Sequence, residues 1–208
     1  MNQIGLPFDW AGGGERDEFL LSEANALAVR HLEQWRDWPV MTSILTGPPQ
    51  SGRSTLARHF ARASGGEVID EAEGADEHRL FHAWNRAQTE QVPLLLVGRR
   101  SPQSWTVALP DLRSRLAAAP HVAIAEPDEA LARALIEQRL AVAGTAFTPD
   151  LADWLLRRIE RSYGAIATVT GLLNGDALSS GRKISTARAK EVLQGAGFLP
   201  IVQPDRPF

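Results

Sequence analysis

Residues 47 to 54 carry the strongest chemical signal in the chain, because they read GPPQSGRS. They fit the pattern G-x-x-x-x-G-K-S/T at every defined position except that Arg53 replaces the lysine. Such a loop points successive backbone N–H groups at a phosphate and sets a helix N-terminus behind them. The residues that we expect to bind nucleotide phosphates are Gly47, Pro48, Gln50, Ser51, Gly52, Arg53, Ser54 and Thr55. The alternative is a Gly/Pro turn that binds nothing.

The arginine in this loop changes what the loop can do. Arg53 keeps a positive charge and can pair with a phosphate. Its forked guanidinium fits poorly where a compact ammonium would bridge two phosphates. We therefore expect nucleotide binding to be better preserved than hydrolysis.

Two acidic residues end a short apolar run and could complete the site. Asp70 and Glu71 stand where a phosphate-loop protein carries the acid that holds Mg²⁺ and the base that polarises water. We expect Ser54 and Asp70 to be the metal ligands and Glu71 to act on water. The alternative is that both acids are simply solvated, as most acids are. The histidines show no grouping typical of a metal site, so no metal besides Mg²⁺ is expected.

The composition excludes several classes of protein. The chain has 208 residues, 44% of them hydrophobic, with a net charge of -3 and no cysteine. Thiol catalysis, disulfides and cysteine-ligated zinc are excluded. No apolar run approaches the ~18 residues that a membrane span needs, and the first residues do not resemble a signal peptide. We expect a cytoplasmic protein without a membrane partner, and the acidic balance argues against tight sequence-independent binding to nucleic acid.

Short apolar runs alternate with helical spacing over the first part of the chain. The predicted strands lie at residues 40–45, 67–70, 94–97 and 121–124, and helices are predicted at 22–35 and from residue 53 to about 63. Strands that alternate with helices predict a parallel sheet. After Pro127 the strand signal stops, and helices are predicted at about 128–143, 149–160, 165–178 and 185–193. The sequence thus predicts an α/β core at 18–127 and a helical lid at 128–197, with a leading peptide at 1–17 and an irregular tail at 198–208.

Together these segments resemble the DnaA-related branch of the AAA+ proteins, and more narrowly its Hda-like regulators of bacterial replication initiation. The likeness extends from Glu18 to about Leu193 and rests on EFLLSEANALAV, GPPQSGRS, VIDEAE, HAWNRA, LLLVGRRSPQSW and LPDLRSRL. It implies an AAA+ phosphate-loop sheet of four or five parallel strands followed by an all-α lid. It also implies that Arg115 is an arginine finger acting in trans, and an Arg in place of the loop lysine is itself a trait of Hda-like proteins.

The first residues supply a second likeness. Their segment resembles the short peptide with which such proteins dock on the DNA polymerase sliding clamp. A polar anchor and apolar plugs would make the contact, and a proline lowers the cost of ordering the peptide. The residues concerned are Gln3, Ile4, Leu6, Pro7 and Phe8. The alternative is a tail that covers the domain's own core.

Three departures from the family pattern argue against an active ATPase. The segment between Thr55 and Asp70 is too short for the strand and helix that AAA+ proteins insert there, so we expect one edge strand to be missing. Gly164 stands where the family has the lid sensor arginine, and Gly98 with Arg99 replaces the polar sensor after the third strand. We expect ADP or no nucleotide, with hydrolysis in cis slow or absent.

The resemblance implies a regulator that docks on the sliding clamp and stimulates hydrolysis of ATP bound to a DnaA-type initiator. Such a protein would act as an ATPase activator and reach the nucleoid only through its partners. No C-terminal helix-turn-helix follows residue 193, so direct sequence-specific DNA binding is not expected. The alternatives are an autonomous AAA+ ATPase of DNA replication and a nucleotide-free adaptor, and a homo-oligomer is left open.

Overall fold

The computed structural model describes residues 19–199. The chain divides into two compact units, the first ending at Glu126 and the second beginning at Pro127. The peptide predicted to dock on a clamp lies outside the described residues, as does the tail beyond residue 199. The peptide residues concerned are Gln3, Ile4, Leu6, Pro7 and Phe8.

Helix α1 (Glu23–Glu33) begins at a capping box. The Ser22 hydroxyl accepts a hydrogen bond from the Ala24 N–H, and the Asn25 side chain accepts one from the Ser22 N–H at 2.9 Å. Asn25 is buried and also donates to the Leu20 carbonyl at 2.7 Å. The segment that precedes the helix is therefore fixed by one amide side chain.

The first unit contains a sheet of four parallel strands with the order β2-β3-β1-β4. In chain order its further elements are β1 (Thr42–Thr46), α2 (Arg53–Ser64), β2 (Glu67–Ile69), α3 (Glu77–Glu90), β3 (Leu94–Gly98), α4 (Pro110–Ala118) and β4 (His121–Ala123). The predicted parallel α/β sheet is confirmed. The short strand β2 forms one edge, as expected if the strand beyond it is missing.

The register brings the predicted site residues to one edge of this sheet. Thr46 pairs with Gly98, and Ile69 pairs with Leu96, so β1, β2 and β3 end close together. The glycine loop follows β1, the acids follow β2, and Arg99 follows β3. In open parallel sheets ligands bind at this carboxyl edge.

Helices cover both faces of the sheet. On one face, Ile44 and Leu96 pack with residues of α3 and α4, among them Leu80, Trp84 and Leu112. Adjacent residues of a strand point to opposite faces of the sheet. The residues of β1 and β3 that point to the other face are also buried. Beside α1 and α2, Trp38 stacks between His31 and Phe60, with ring centroids 5.1 and 5.5 Å away. This packing holds β1, and with it the loop, in place.

The second unit contains α5 (Glu129–Val142), α6 (Leu151–Leu156), α7 (Tyr163–Ser180) and α8 (Thr186–Gly195). Their fully buried residues, including Ile136, Leu155, Ile166 and Leu193, form one apolar core. Asp128, Ser162 and Ser185 cap three of the helices with their side chains. None of the described helices is both long and apolar enough to cross a membrane.

The helix predicted at 149–160 is wrong in length, since α6 spans only Leu151–Leu156. Before it, a bridge between Phe147 and Ile184 keeps the backbone extended. After it, the Leu155 carbonyl accepts from the N–H groups of both Arg158 and Ile159, which tightens and ends the helix. The apolar spacing that suggested a longer helix therefore includes a turn.

Candidate phosphate-binding site

The loop between β1 and α2 depends on two glycines. Gly52 has φ 87, and a Cβ there would lie 2.8 Å from Cε2 of Phe19. At Gly47 a Cβ would meet Ile124 at 3.0 Å and the Ser51 hydroxyl at 3.1 Å. Larger residues would strain the backbone at the first position and crowd the second. The loop is thus shaped for glycine where the sequence motif requires it.

One polar group of the loop, the Ser51 hydroxyl, lacks a hydrogen-bond partner among the described residues. This hydroxyl is buried. Gln50 has φ 63, an uncommon conformation for a residue with a side chain. Pro48 contributes its carbonyl to a turn, accepting from the Ser51 N–H at 3.3 Å. A buried orphan hydroxyl and a strained backbone are typical of a loop adapted to a ligand.

Ser54 and Asp70, the predicted metal ligands, lie together. The Ser54 hydroxyl donates to Oδ2 of Asp70 at 2.7 Å, and Oδ1 accepts from the Glu71 N–H at 2.9 Å. Mg²⁺ in nucleotide sites is usually held by one or two protein oxygens together with phosphates and waters. This pair can supply that share. Thr55 instead accepts a hydrogen bond from Arg58 on the same helix.

Arg53 turns toward the end of β3. Its Nη1 donates a short hydrogen bond to the Gly98 carbonyl. Burial lowers the pKa of Arg53, and the nearby carboxylates of Asp70 and Glu73 oppose that shift. The guanidinium is therefore part of a protein network at the place where the loop lysine of an active site would reach phosphates.

Glu71, the predicted water-polarising base, forms an exposed ion pair. It has φ 52, and its carboxylate forms an ion pair with Nη2 of Arg99 at 2.9 Å. A carboxylate that serves as a general base must reach the water it activates. Here the same carboxylate is 74% exposed and pairs with the arginine that follows β3.

Glu73 was missed in the sequence, although it belongs to the site. Its Oε2 accepts a hydrogen bond from the Arg99 N–H at 2.5 Å. The same atom lies 2.6 Å from where a Cβ on Gly98 would be, and Trp105 also approaches within 2.6 Å. A side chain at position 98 would therefore crowd Glu73 and Trp105, and glycine leaves room for both. The acid-rich run after Asp70 was the one signal that could have suggested it.

Arg115 belongs to a different set of contacts, made by α3 and α4. Its guanidinium lies 4.6 Å over the ring of Phe81, donates to the Asn85 side chain and pairs with Asp111 at 2.9 Å. The Arg115 side chain is 28% exposed and that of Asp111 is 63% exposed. None of these contacts is to the phosphate loop. They orient the guanidinium at the surface.

The loop before α4 is fixed by a carboxylate as well. Glu77, in the first turn of α3, accepts hydrogen bonds from the N–H groups of Ala108 and Leu109 at 2.7 and 2.8 Å. These bonds hold the pKa of Glu77 below its ordinary value. They attach the start of α4, and so the helix that carries Arg115, to α3.

In the second unit, Gly164 lies in the first turn of α7. A Cβ there would have no atom within 4 Å. Packing within the described residues does not require glycine at this position. The sensor arginine that the resemblance implies there is absent from the sequence.

Solved structures share this fold. Domain III of the replication initiation protein DnaA from Thermotoga maritima superposes with a TM-score of 0.71 at 12% identity, covering 85% of this chain and 94% of that one. The chain has the DnaA-type AAA+ fold. DnaA bound to AMPPCP and single-stranded DNA matches with a TM-score of 0.60 at 17% identity, covering 74% of this chain.

Solved structures of a second kind of protein also match this fold. A variant of RuvB from Thermotoga maritima matches with a TM-score of 0.59 at 18% identity, covering 82% of this chain and 66% of that one. This chain spans 62% of the DnaA chain in the AMPPCP complex. No family model matches the sequence. At these identities the likeness establishes the fold, while the site residues decide the chemistry.

Proposed function

We propose that this protein is an Hda-like regulator that presents Arg115 to ATP held by a DnaA-type initiator and so stimulates its hydrolysis in trans. One observation carries the proposal. The groups that would act on a nucleotide in cis, Arg53 and Glu71, are bound to Gly98 and Arg99. Arg115 has partners too, Phe81, Asn85 and Asp111, but it lies at the surface of α4 with its side chain 28% exposed.

The chemistry needed from Arg115 is electrostatic. Charge develops on the transferred phosphoryl group, and a positioned guanidinium stabilises it. Phe81 and Asn85 hold the Arg115 side chain at the surface, so less freedom is lost when it meets a partner. An arginine finger of this kind contributes about 10³ to 10⁵ in rate in GTPases.

We propose that the protein's own loop holds ADP. Gly47, Gly52 and Ser51 would cradle the phosphates, as the buried orphan hydroxyl and the glycine geometry support. Ser54 and Asp70 would hold Mg²⁺. The charges of bound diphosphate and Mg²⁺ would connect the loop with the end of β2. A diphosphate carries no third phosphate that could be transferred.

The leading peptide would direct the protein to the sliding clamp. We propose that Gln3 and the apolar residues Ile4, Leu6 and Phe8 dock on the sliding clamp, with Pro7 limiting the cost of ordering. Direct contact with DNA is not part of the proposal. Because one DnaA neighbour carries single-stranded DNA, a binding titration of this protein with single-stranded DNA is the check on that point.

The proposal is tested with Arg115→Ala in an assay of initiator-bound ATP hydrolysis on DNA-loaded clamp. Stimulation should fall about 10³-fold, because the transition-state charge loses its partner. Arg113→Ala is the matched control, since Arg113 is exposed on the same helix. Equal stimulation by the Arg115→Ala variant and the wild type would contradict the mechanism.

An autonomous ATPase is the second candidate, and the Ser54–Asp70 pair favours it. In that case the isolated protein should turn over ATP, and Asp70→Asn should abolish the turnover. A nucleotide-free adaptor would keep the contacts of Arg53 and Glu71 as they are. Calorimetry with ADP separates the adaptor from the ADP-bound regulator.

A further inference from the structure

Two of the three side chains that hold Arg115 are uncharged. Cζ of Arg115 lies 4.6 Å from the centroid of the Phe81 ring, and Oδ1 of Asn85 accepts a hydrogen bond from Nη1. The third partner, Asp111, pairs with Nη2 at 2.9 Å, but its side chain is 63% exposed. Within residues 19–199, the one carboxylate bonded to this guanidinium is therefore screened by solvent and able to detach.

The amide acceptor of Arg115 differs from the acceptors of two structural arginines in the chain. Arg86 donates to the carboxylate of Glu67, and Arg188 donates to that of Asp176. Ion pairs of this kind are strong contacts, and the carboxylate also offsets the positive charge. They are suited to tying elements together. Arg115 is instead oriented by a group that leaves its charge available.

Helix α3 fixes the position of this acceptor. Phe81 and Asn85 stand four residues apart, which puts both side chains on one face of the helix. Ala83 and Trp84, which lie between them, are buried in the core of the first unit. Asn85 itself is half-buried. The amide is thus in place before a partner arrives, and less freedom is lost on binding.

A negative charge at position 85 would change what Arg115 can do. Aspartate has the size of asparagine and would still accept the hydrogen bond, but the contact would become a half-buried ion pair. Such a pair is screened less than the exposed pair with Asp111. The guanidinium would then share its charge with this carboxylate when it meets a phosphate.

We propose that Asn85 is a positioning residue for Arg115, with a neutral amide oxygen that orients the guanidinium and leaves its charge for the phosphates of a nucleotide bound to the initiator. The inference rests on the proposed function, since it assumes that Arg115 acts in trans. It adds that the acceptor must be uncharged as well as correctly placed. Asn85 acts only through Arg115.

The test is single-turnover hydrolysis of initiator-bound ATP on DNA-loaded clamp, with the full chain at saturating concentration. Asn85→Asp should lower the stimulated rate about tenfold, the scale of one hydrogen bond to a charged group. Asn85→Ala removes the acceptor and adds no charge, so its rate should fall only about threefold. Added salt should bring Asn85→Asp closer to the wild type and leave the ratio for Asn85→Ala unchanged, because only the aspartate acts through charge.

The order of the variants decides between a positioning role and a merely structural one. A structural acceptor predicts the reverse order, with Asn85→Asp close to the wild type and Asn85→Ala lowest, and that order would overturn the inference. Unfolding temperatures establish which variants retain the fold. If Asn85→Asp does not, the neutral amide of Asn85→Gln should give faster stimulation than Asn85→Ala, and an equal or lower rate would overturn the inference as well.

Gln34→Glu is the matched control, because it adds the same charge at the exposed C-terminal end of α1. Helix α1 lies on the other face of the sheet, where His31 bonds to the Ser43 hydroxyl. The stimulated rate of this variant should equal that of the wild type. Absence of stimulation by the wild type would overturn the proposed function itself. Stimulation by the wild type that Asn85→Asp equals would overturn the role of Asn85 alone.

Discussion

The ion pair between Arg115 and Asp111 offers a quantitative test of how the guanidinium is used. To contact a nucleotide on another protein, Arg115 must leave Asp111, which lies four residues before it on α4. The pair is 2.9 Å long and its acid is 63% exposed. An exposed pair of this spacing contributes about 0.5 kcal/mol. Removing the acid therefore removes a small barrier to engagement.

We expect Asp111→Asn to raise the stimulated rate of initiator ATP hydrolysis about twofold, and at most about fivefold, since 1 kcal/mol is the upper range for exposed pairs. The stacking on Phe81 and the bond to Asn85 remain, so the guanidinium stays oriented. The assay is single-turnover hydrolysis of labelled ATP on the initiator, with DNA-loaded clamp and limiting amounts of this protein. The low rate expected for Arg115→Ala sets the baseline.

The opposite result would refute the reasoning. If Asp111→Asn reduced stimulation to the level of Arg115→Ala, the ion pair itself would be required, and Arg115 would act as a structural residue of α4. Circular dichroism and the unfolding temperature of Asp111→Asn establish that a loss of activity is not a loss of fold. The double variant should match Arg115→Ala.

Three further predictions concern stability. Gly171 is exposed in the interior of α7 with open space around it, so Gly171→Ala should stabilise the protein by about 0.5 to 1 kcal/mol and raise the unfolding temperature by about 2 °C. Gly98→Ala should lower the unfolding temperature, because its Cβ would collide with Glu73 and Trp105. An equal shift in both variants would contradict the packing described at β3. Burial lowers the pKa of both His31 and His121, so the folded protein binds fewer protons than the unfolded chain below the ordinary pKa of 6.5. The contribution of these histidines to the free energy of unfolding should be complete above pH 6.5, and the free energy of unfolding should fall as the pH decreases below it. A denaturation series that shows no such decrease would exclude a contribution from His31. The same decrease in His31→Gln would exclude it as well.

The phosphate loop could be located from the sequence because its pattern is local. Spacing of the glycines, a strand before and a helix after are properties of adjacent residues, and the structure has β1 and α2 on either side. The parallel sheet followed from the alternation of apolar runs with helical spacing. Local patterns of this kind predict the structure well, because the apolar residues that form the pattern are the ones that the folded core buries.

The interactions that redirect the site could not be predicted in this way. Glu73 meets Gly98 only after the sheet brings β2 beside β3. The pairing of Arg53 with the Gly98 carbonyl has the same origin. The ion pair of Arg115 with Asp111 is different, because the two residues have opposite charges and stand four apart in the sequence, the spacing that brings side chains together on a helix.

The most direct test of the central claim is the rate at which a DnaA-type initiator hydrolyses its bound ATP on DNA-loaded clamp, with and without the full chain. The account predicts a large acceleration that requires the clamp, while this protein alone hydrolyses little or no ATP. An unchanged initiator rate, together with rapid ATP turnover by this protein alone, would contradict the account.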